Sequence, residues 1–503
     1  MLKIKLFKIT KERMVCTIMI FADLFFLYIF IPSFAIFYGI AYFMDQKKIK
    51  NSRRLTVYNN NKNMVLVLFS IIFYAWGEPV YILLMFLSIT INYHIGKAID
   101  ISETKKSKGA LALGVAINIL FIVVFKYTGF FIRTINAFGT NIPEPAIALP
   151  IGISFYTFQA ISYIADVYRG AVRAQRKYSN LLLYIAMFPQ LIAGPIVRYT
   201  TVENEIENRK IKLSDLSEGI FRFLIGLSKK VILANQFATI SSSLLDANIS
   251  DMSVCGAWIG LIAFSLQIYF DFSGYSDMAI GIGRCIGFHF DENFNYPYIS
   301  RSITEFWRRW HISLGTLFRD YVYIPMGGNK KHQLFNILVV WFLTGMWHGA
   351  SWNFIVWGLY FGTIIMIEKY FIFKMKKPLF VFIQHMYSLF LIVFGWAIFY
   401  FNDFGKLGSF IMTLFGQSSI GMTDALAISQ LQSNFFLLII GIICCMPVSK
   451  YVKKLYDRII SSGSKAPAVI LTAAKIAVSY ALLYMSTVLL IGESIQSFFY
   501  FRF

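Results

Sequence analysis

The chain has 503 residues, of which 57% are hydrophobic and 15% are charged, and its mean hydropathy is +0.62. This composition excludes a soluble globular protein and is typical of a polytopic membrane protein. The net charge of +21 also occurs in nucleic-acid-binding proteins, but basic residues of membrane chains collect in cytoplasmic loops, so we expect no nucleic-acid partner.

The N-terminal segment 1–18 carries basic residues on one side of the first apolar run, 19–43, and a second basic cluster follows that run. Because both ends of this apolar run are basic, the charge rule does not decide its orientation in the membrane. We predict that 1–18 is either a non-native extension, with translation starting at Met19 instead of Met1, or a cytoplasmic N-terminal extension. A signal peptide is not expected, because the run is long and is followed by charges, with no small-residue cleavage site.

Basic clusters alternate with weakly charged loops along the rest of the chain. Because Lys and Arg stay on the cytoplasmic side, we place the basic clusters in the cytoplasm and the other loops outside. The basic clusters are 45–54, 103–109, 169–177, 198–212, 301–331, 374–377 and 450–465, and the external loops are 138–149, 246–254 and 402–433.

Apolar runs between these loops are long enough to cross a bilayer. Crossings are predicted near 111–135, 149–168, 217–245, 256–283, 379–401, 433–449 and 468–490. Three further runs have basic flanks at both ends and contain Gly or Pro, so we predict hairpins or re-entrant elements at 64–97, 181–197 and 335–371. The predicted fold is all-α, one membrane domain over 1–503 with about 11 or more membrane helices in the cytoplasmic membrane.

The densest polar stretch in apolar surroundings is TEFWRRWHISLGTLFRDYVYIPMGGNK, residues 304–330. As one continuous helix it would carry a polar stripe. The stripe consists of Thr304, Arg308, His311, Gly315 and Arg319. The pattern is typical of an interfacial amphipathic helix, and equally of a surface on which Arg308 and Arg319 bind the phosphates of a nucleotide-bearing donor.

A second stretch, WFLTGMWHGASWNF at 341–354, places His348 between Gly345 and Gly349. The GxxxG spacing favours close helix packing, with the histidine hydrogen-bonding a neighbouring helix. The alternative is a general base beside a slot that the glycines leave for an acyl chain, since neutral histidine is the commonest base at physiological pH.

Other polar residues give weaker signals. Asp271 and Asp277 are six residues apart and do not share a helical face, so we predict structural partners among nearby Arg or His side chains. The five cysteines show neither a disulfide framework nor metal-ligand spacing, and we expect no metal.

Seven stretches in order along the chain resemble the membrane-bound O-acyltransferase family, in particular its branch that O-acetylates alginate and bacterial cell-wall polysaccharides. They are 73–84, 149–170, 188–199, 268–283, 300–330, 344–358 and the terminal FFYFRF, with a motif core over 64–371. The resemblance implies helices around a central funnel or tunnel. It also implies that His348 is catalytic and that His311 is the second family histidine.

The resemblance further implies the reaction, which is transfer of an acyl group, acetyl from acetyl-CoA, to an extracytoplasmic polysaccharide. His348 is the expected general base. His311 is expected to orient the acceptor or the thioester, and Arg308, Arg309 and Arg319 are expected to contact the donor's phosphates. The expected partners are the acyl-CoA, membrane lipids and an extracytoplasmic transferase of the serine-hydrolase type.

By the same resemblance, Tyr500 in the extracytoplasmic C-terminal motif 491–503 is a candidate acyl shuttle. The alternative is a disordered tail, or one whose aromatic residues anchor it at the membrane interface.

Two rival functions stay open. One is D-alanyl transfer to teichoic acid from a carrier protein, against which the YIPMGGNK ending of the 300–330 block favours acetyl transfer. The other is a transporter or flippase without enzymatic activity, in which intramembrane charges and re-entrant hairpins are equally natural.

Overall fold

The computed structural model describes residues 19–51, 60–101, 104–192, 194–375, 380–461 and 465–492. Within these ranges the chain forms helices and no strand, which confirms the all-α prediction. The predicted 1–18 extension and Tyr500 lie outside the described residues.

Nine helical segments in the described ranges are long and apolar enough to cross a membrane. They are Phe26–Lys47, Ile82–Ile101, Lys105–Asn136, Leu213–Leu245, Val254–Cys285, Trp352–Lys374, Val381–Tyr400, Ala425–Cys444 and Ala466–Gly492. The polytopic membrane fold is thus confirmed, while the larger count of 11 or more stays a prediction.

Two predicted crossings differ in their bounds. The run 149–168 gives a helix only over Ile153–Tyr168, because Gly152 takes a left-handed conformation (φ 72°) immediately before it. Those 16 residues are fewer than the roughly 20 that span a bilayer. The run predicted at 433–449 begins earlier, at Ala425, because the side chain of Asp424 accepts a hydrogen bond from the N–H of Ala427 and caps the helix.

By its internal contacts the chain divides into two compact units. The first comprises 1–128, 145–216 and 283–289. Its described helices are α1 (Ile31–Asn51), α2 (Asn60–Gly77), α3 (Ile82–Ile101), α4 (Thr104–Ile122), α6 (Ile153–Tyr168), α7 (Tyr178–Ala186), α8 (Phe188–Leu191) and α9 (Tyr199–Asn208). The predicted hairpin at 64–97 corresponds to α2 and α3, and that at 181–197 begins with α7 and α8. Asn92 and Asn118 join α3 to α4 through two amide hydrogen bonds of 3.1 and 2.8 Å.

The second unit comprises 129–144, 217–282 and 290–503. The following described helices lie wholly or mostly in this unit: α5 (Thr128–Asn136), α10 (Leu213–Ser228), α11 (Asn235–Leu245), α12 (Val254–Cys285), α13 (Ile303–Arg309), α14 (Ile312–Phe318), α15 (Gln333–His348), α16 (Trp352–Tyr370), α17 (Val381–Tyr400), α18 (Phe404–Leu414), α19 (Ala425–Cys444), α20 (Val448–Ser461) and α21 (Lys465–Gly492). The single domain over 1–503 stays a prediction.

The two intramembrane aspartates of α12 have structural partners. Asp277 pairs with Arg222 at 2.8 Å and with Lys229 at 2.6 Å. Asp271 pairs with Lys230 at 2.6 Å. The prediction of structural partners is confirmed, although lysine supplies two of the three and histidine none. An opposite charge offsets part of the cost of burying a carboxylate within an apolar helix bundle.

Helices α15 and α16 form the hairpin predicted at 335–371, with residues 349–351 as the connection. The two helices approach at backbone distance through small residues. A Cβ at Gly345 would overlap the carbonyl oxygen of Phe354, and a Cβ at Gly358 would overlap that of Trp341. Close packing at the GxxxG pair is therefore confirmed.

Candidate active site

The polar stretch 304–319 does not form the single helix predicted from its periodicity. Helix α13 ends at Arg309 and α14 starts at Ile312, with His311 between them in a left-handed conformation (φ 45°). A left-handed residue other than glycine costs about 1–2 kcal/mol, so the surroundings must hold it. Backbone bonds from Asn295 N–H to the carbonyl of Arg309 and from Ile312 N–H to that of Asn293 fix this bend. The predicted polar stripe along one helix is wrong, because the helix is interrupted at His311.

The start of α13 is fixed by a buried carboxylate on α16. Glu368 is fully buried and accepts hydrogen bonds from the N–H of Ile303 (2.5 Å), the N–H of Thr304 (2.7 Å) and the hydroxyl of Thr304 (2.6 Å). A carboxylate that receives the first N–H groups of a helix also matches the positive end of the helix dipole. Glu368 therefore ties α13, and with it the bend at His311, to α16.

His311 is buried, with 2% of its surface exposed. Its Nδ1 lies 3.1 Å from Oδ1 of Asn293, and its ring contacts the ring of Phe272 edge-on at a centroid distance of 4.6 Å. The residue lies outside the nine candidate spans. Burial lowers the pKa of His311 to about 3, so the imidazole is neutral at physiological pH.

His348 is the last residue of α15 and is 4% exposed. Three aromatic rings surround its imidazole, all at steep angles to it. The centroid distances are 4.9 Å to Trp347, 4.7 Å to Trp357 on α16 and 5.3 Å to Phe399 on α17. These rings shield the imidazole from solvent, and the indole nitrogens of Trp347 and Trp357 are buried polar atoms of the same surroundings.

The structure brings His311 and His348 together around one indole. The ring of Trp347 lies 5.5 Å from the ring of His311 and 4.9 Å from that of His348, centroid to centroid. Two buried histidines thus share one aromatic neighbour within the second unit. An arrangement of this kind can accept a proton from a hydroxyl and orient a second polar group.

The slot for an acyl chain that was predicted beside His348 is not formed by Gly345 and Gly349. A Cβ on Gly349 would overlap the ring of Phe354, and Gly345 faces the backbone of the same α16 turn. The space next to both glycines is filled by α16, so an acyl chain cannot pass there. The glycines serve helix packing, and the slot interpretation is wrong for these two positions.

Two of the three predicted donor-binding arginines are engaged with carboxylates. Arg309 donates to Glu305 (Nε to Oε1, 2.9 Å) and to the carbonyl of Asn295 (3.0 Å). Arg319 donates to Asp320 through Nε at 2.6 Å and Nη2 at 3.1 Å. Their guanidinium groups can meet a phosphate only by sharing or leaving these partners.

Arg308, the third predicted donor-binding arginine, is not engaged with a carboxylate in the described part of the chain. It is exposed, and it forms no hydrogen bond or ion pair with any part of the chain that the structure describes. Its charge interacts with that of Lys369, the residue next to Glu368 on α16. The Nζ of Lys369 donates to Oδ1 of Asn329 at 3.1 Å. Two cations therefore lie near one another in the predicted cytoplasmic part of the site.

Sequence reasoning missed Asn293, Trp347, Glu368 and Lys369 as parts of the site. Glu368 gave a usable signal, because a lone carboxylate within an apolar run indicates a specific partner. Asn293 gave none, since its contacts with His311 depend on the bend between α13 and α14. In the described ranges, no three His, Cys, Asp or Glu side chains are grouped as metal ligands.

A sequence profile of the membrane-bound O-acyltransferase family matches residues 27–411, which is more than half of the chain. The chain belongs to the membrane-bound O-acyltransferase family. It is therefore a multi-pass membrane enzyme that transfers an acyl group to a hydroxyl, and the resemblance carried by the seven sequence stretches is confirmed.

Known relatives in the membrane-bound O-acyltransferase family include acetyl- and D-alanyltransferases. The chain is 40% identical to the probable alginate O-acetylase of Azotobacter vinelandii over 76% of its own length and 75% of the relative. It is 36% identical to the peptidoglycan O-acetyltransferase of Helicobacter pylori, over 60% and 64%. Its match to the teichoic acid D-alanyltransferase of Bacillus subtilis is 32%, over 44% and 59%.

Proposed function

We propose that this enzyme takes the acetyl group of acetyl-CoA at the cytoplasmic side of the membrane and delivers it for O-acetylation of an extracytoplasmic polysaccharide. The observation that carries the proposal is the pair of buried histidines, His311 and His348, on one indole. The acetyl group is favoured over D-alanine because the match to the alginate O-acetylase covers 76% of the chain and that to the D-alanyltransferase 44%.

In the proposed reaction His348 is the general base. It takes the proton of the acceptor hydroxyl while the hydroxyl oxygen bonds to the carbonyl carbon of the thioester. The carbon–sulfur bond then breaks, and the CoA thiolate leaves and takes the proton back from the imidazolium of His348. His311 orients one of the two substrates. No metal is needed for these steps.

Arg308 is the proposed contact for the donor's phosphates, with Lys369 as a second cation. Both belong to the site through α13 and α16, which Glu368 joins. An arginine without a carboxylate partner can offer its full fork of donors to a phosphate. Arg309 and Arg319 remain in the proposal as neighbours that add positive charge, since Glu305 and Asp320 hold their donors.

The acceptor side of the proposal includes Tyr500 as an acyl shuttle between His348 and an extracytoplasmic transferase of the serine-hydrolase type. Tyr500 lies outside the described residues, so its role rests on the sequence resemblance alone. Mass spectrometry of the C-terminal peptide during turnover tests it. An active enzyme without an acetyl adduct on Tyr500 would remove the shuttle and leave the general base in place.

The central test is transfer of radiolabel from acetyl-CoA by the purified protein in lipid nanodiscs, measured on the protein itself and on an added transferase of the serine-hydrolase type with alginate as its acceptor. We expect His348→Ala to lose about 10²- to 10⁴-fold in transfer rate, the usual contribution of a general base. The matched control is His289→Ala, which removes an exposed histidine paired with Glu205 and should leave transfer unchanged. Melting curves show whether both variants are folded.

The same assay separates the alternatives. Unchanged transfer in His348→Ala would exclude His348 as the base. Transfer from a D-alanyl carrier-protein thioester, with none from acetyl-CoA, would replace the acetyl proposal by D-alanylation. For the transporter alternative the protein is placed in sealed vesicles, where movement of label into the lumen without a new covalent bond would indicate a transporter.

A further inference from the structure

The hydrogen bonds around Asn293 determine which nitrogen of His311 carries the proton. Asn293 is fully buried, and three atoms approach its Oδ1. They are the backbone N of Ser313 at 3.1 Å, the hydroxyl of Ser313 at 2.9 Å and Nδ1 of His311 at 3.1 Å. Its Nδ2 donates to the hydroxyl of Ser276 at 3.2 Å. Both ends of the amide are thus occupied.

The backbone N–H of Ser313 can only donate a hydrogen bond. The amide atom that faces it must therefore be the carbonyl oxygen of Asn293, which fixes the orientation of the side chain without any choice between O and N. The hydroxyl of Ser313 also lies 3.4 Å from Nδ1 of His311, but it donates to Oδ1 of Asn293 at the shorter distance of 2.9 Å. A carbonyl oxygen can only accept, so the contact between Oδ1 and His311 places a hydrogen on Nδ1. In a neutral imidazole the other nitrogen, Nε2, then carries a lone pair.

Nε2 of His311 is buried and has no hydrogen-bond partner among the residues that the structure describes. Burial also keeps the imidazole neutral, since the pKa of His311 falls to about 3. A buried acceptor without a partner is costly, and a native site that retains one calls for an explanation such as a substrate contact. The lone pair of Nε2 can bind only a group that donates a hydrogen.

We infer that Asn293 is a positioning residue that holds His311 as its Nδ1–H tautomer, so that Nε2 accepts a hydrogen bond from an amide N–H of the donor's pantetheine arm. The inference rests on the proposed acyl transfer from a CoA thioester. The thioester and its oxyanion offer no hydrogen, and the hydrogen of the attacking hydroxyl goes to His348. The amide N–H groups of the arm that carries the thioester are the hydrogen-bond donors of acetyl-CoA nearest to its sulfur.

Of the two substrates that His311 could orient, this inference assigns it the thioester, which it holds through the pantetheine arm. Its available nitrogen is an acceptor, so it cannot donate a hydrogen bond to the oxyanion. No bond to His311 forms or breaks in the reaction. The ligand class is any acyl-pantetheine, since this arm is common to CoA and to carrier proteins.

The test compares acetyl-CoA with its oxa analogue, in which an ester oxygen replaces the N–H of the amide nearest the sulfur. We expect the wild-type enzyme to lose about 5- to 10-fold in kcat/KM with the analogue, as for one lost hydrogen bond to a buried acceptor. In Asn293→Leu the kcat/KM values for acetyl-CoA and for the oxa analogue should differ by less than about 2-fold, because the tautomer of His311 is no longer fixed.

Two variants keep the test independent of folding defects. Asn293→Asp retains an oxygen acceptor for His311 and Ser313 and should retain the wild-type preference for the amide. Ser276→Ala removes only the partner of Nδ2 and should also retain it. Loss of the preference in Ser276→Ala, or its persistence in a folded Asn293→Leu protein, would overturn the role of Asn293.

The tautomer is measured separately in the resting wild-type enzyme. The ¹⁵N shifts of histidine-labelled protein in nanodiscs, with the His311 signals assigned by their loss in His311→Gln, should show hydrogen on Nδ1 and a lone pair on Nε2. A hydrogen on Nε2 would overturn the inference. This measurement needs no turnover, so failure of the proposed acetyl transfer in the His348→Ala assay is recognised independently of it.

Discussion

Burial of the His311 imidazole makes the stability of the protein depend on pH. Its pKa is 6.5 in the unfolded chain and about 3 in the folded protein, so between these values the unfolded state binds a proton that the folded state does not. The free energy of unfolding therefore keeps its full contribution from the neutral His311 above pH 6.5. It loses this contribution progressively as the pH falls from 6.5 towards 3.

We therefore expect the free energy of unfolding to fall by about 1 kcal/mol more in the wild type than in His311→Gln between pH 7.5 and pH 5.5. Denaturation curves of the two proteins in the same detergent at both pH values measure the difference. Carboxylates titrate in both proteins and cancel in the comparison. Equal pH dependence of the two would show that His311 is not held neutral by burial.

The histidines were predictable from sequence because each lies in a block of specific residues, RRWH and WHG. The contact of Trp347 with both histidines was not predictable from the sequence. Trp347 touches both rings only because α13 and α15 meet, and that contact is set by packing between elements far apart in the chain. Asn293 likewise acquires its function from the left-handed bend at His311, which helical periodicity cannot indicate.

At the scale of elements, the position of α13 depends on the carboxylate of Glu368. Replacing it by Gln leaves one oxygen for three donors and removes the charge that matches the helix dipole. We expect Glu368→Gln to destabilise the protein by about 1–3 kcal/mol and to reduce acetyl transfer, since a buried hydrogen-bonded charge is lost. Thermal unfolding and the radiolabel assay measure both effects.

The control for this prediction is Glu292→Gln, because Glu292 is an exposed carboxylate paired with Arg222. Exposed ion pairs contribute about 0–1 kcal/mol, so this variant should resemble the wild type. Equal behaviour of the two variants would mean that Glu368 does not fix α13.

The α15–α16 hairpin depends on the absence of side chains at its closest approach. A Cβ at Gly345 overlaps the backbone of Phe354, which cannot move without separating the helices. We expect Gly345→Ala to destabilise the protein by about 1–3 kcal/mol through overpacking and to reduce acetyl transfer by displacing His348. Gly408→Ala on α18 is the matched control, because its added Cβ would meet no atom within 4 Å. A Gly345→Ala protein as stable and active as the control would show that the helices can separate at no cost.

At the scale of the whole molecule, hydropathy and charge predicted most of the membrane segments. The runs at 111–135, 217–245, 256–283 and 468–490 fall within candidate spans of the structure, and the run at 379–401 contains the span Val381–Tyr400. Hydropathy reports an apolar run but not the backbone within it. The left-handed Gly152 and the cap at Asp424 therefore moved two boundaries that composition alone had set.

The predicted topology is tested with single cysteines at exposed positions. Gln417→Cys, in the loop predicted outside, should react with a membrane-impermeant maleimide in intact cells. Lys331→Cys, in the basic cluster predicted inside, should react only after the cells are permeabilised. The unsubstituted chain gives the background from its natural cysteines. Labelling of Lys331→Cys in intact cells would reverse the predicted orientation.

One helix links both histidines. Near its start, α16 places Trp357 against the ring of His348, and near its end Glu368 receives the first N–H groups of α13. During synthesis His311 is therefore made well before Glu368, the residue that fixes the start of α13. The pair is assembled only once residue 368 has been added, so the nascent chain carries no competent pocket until α16 is complete.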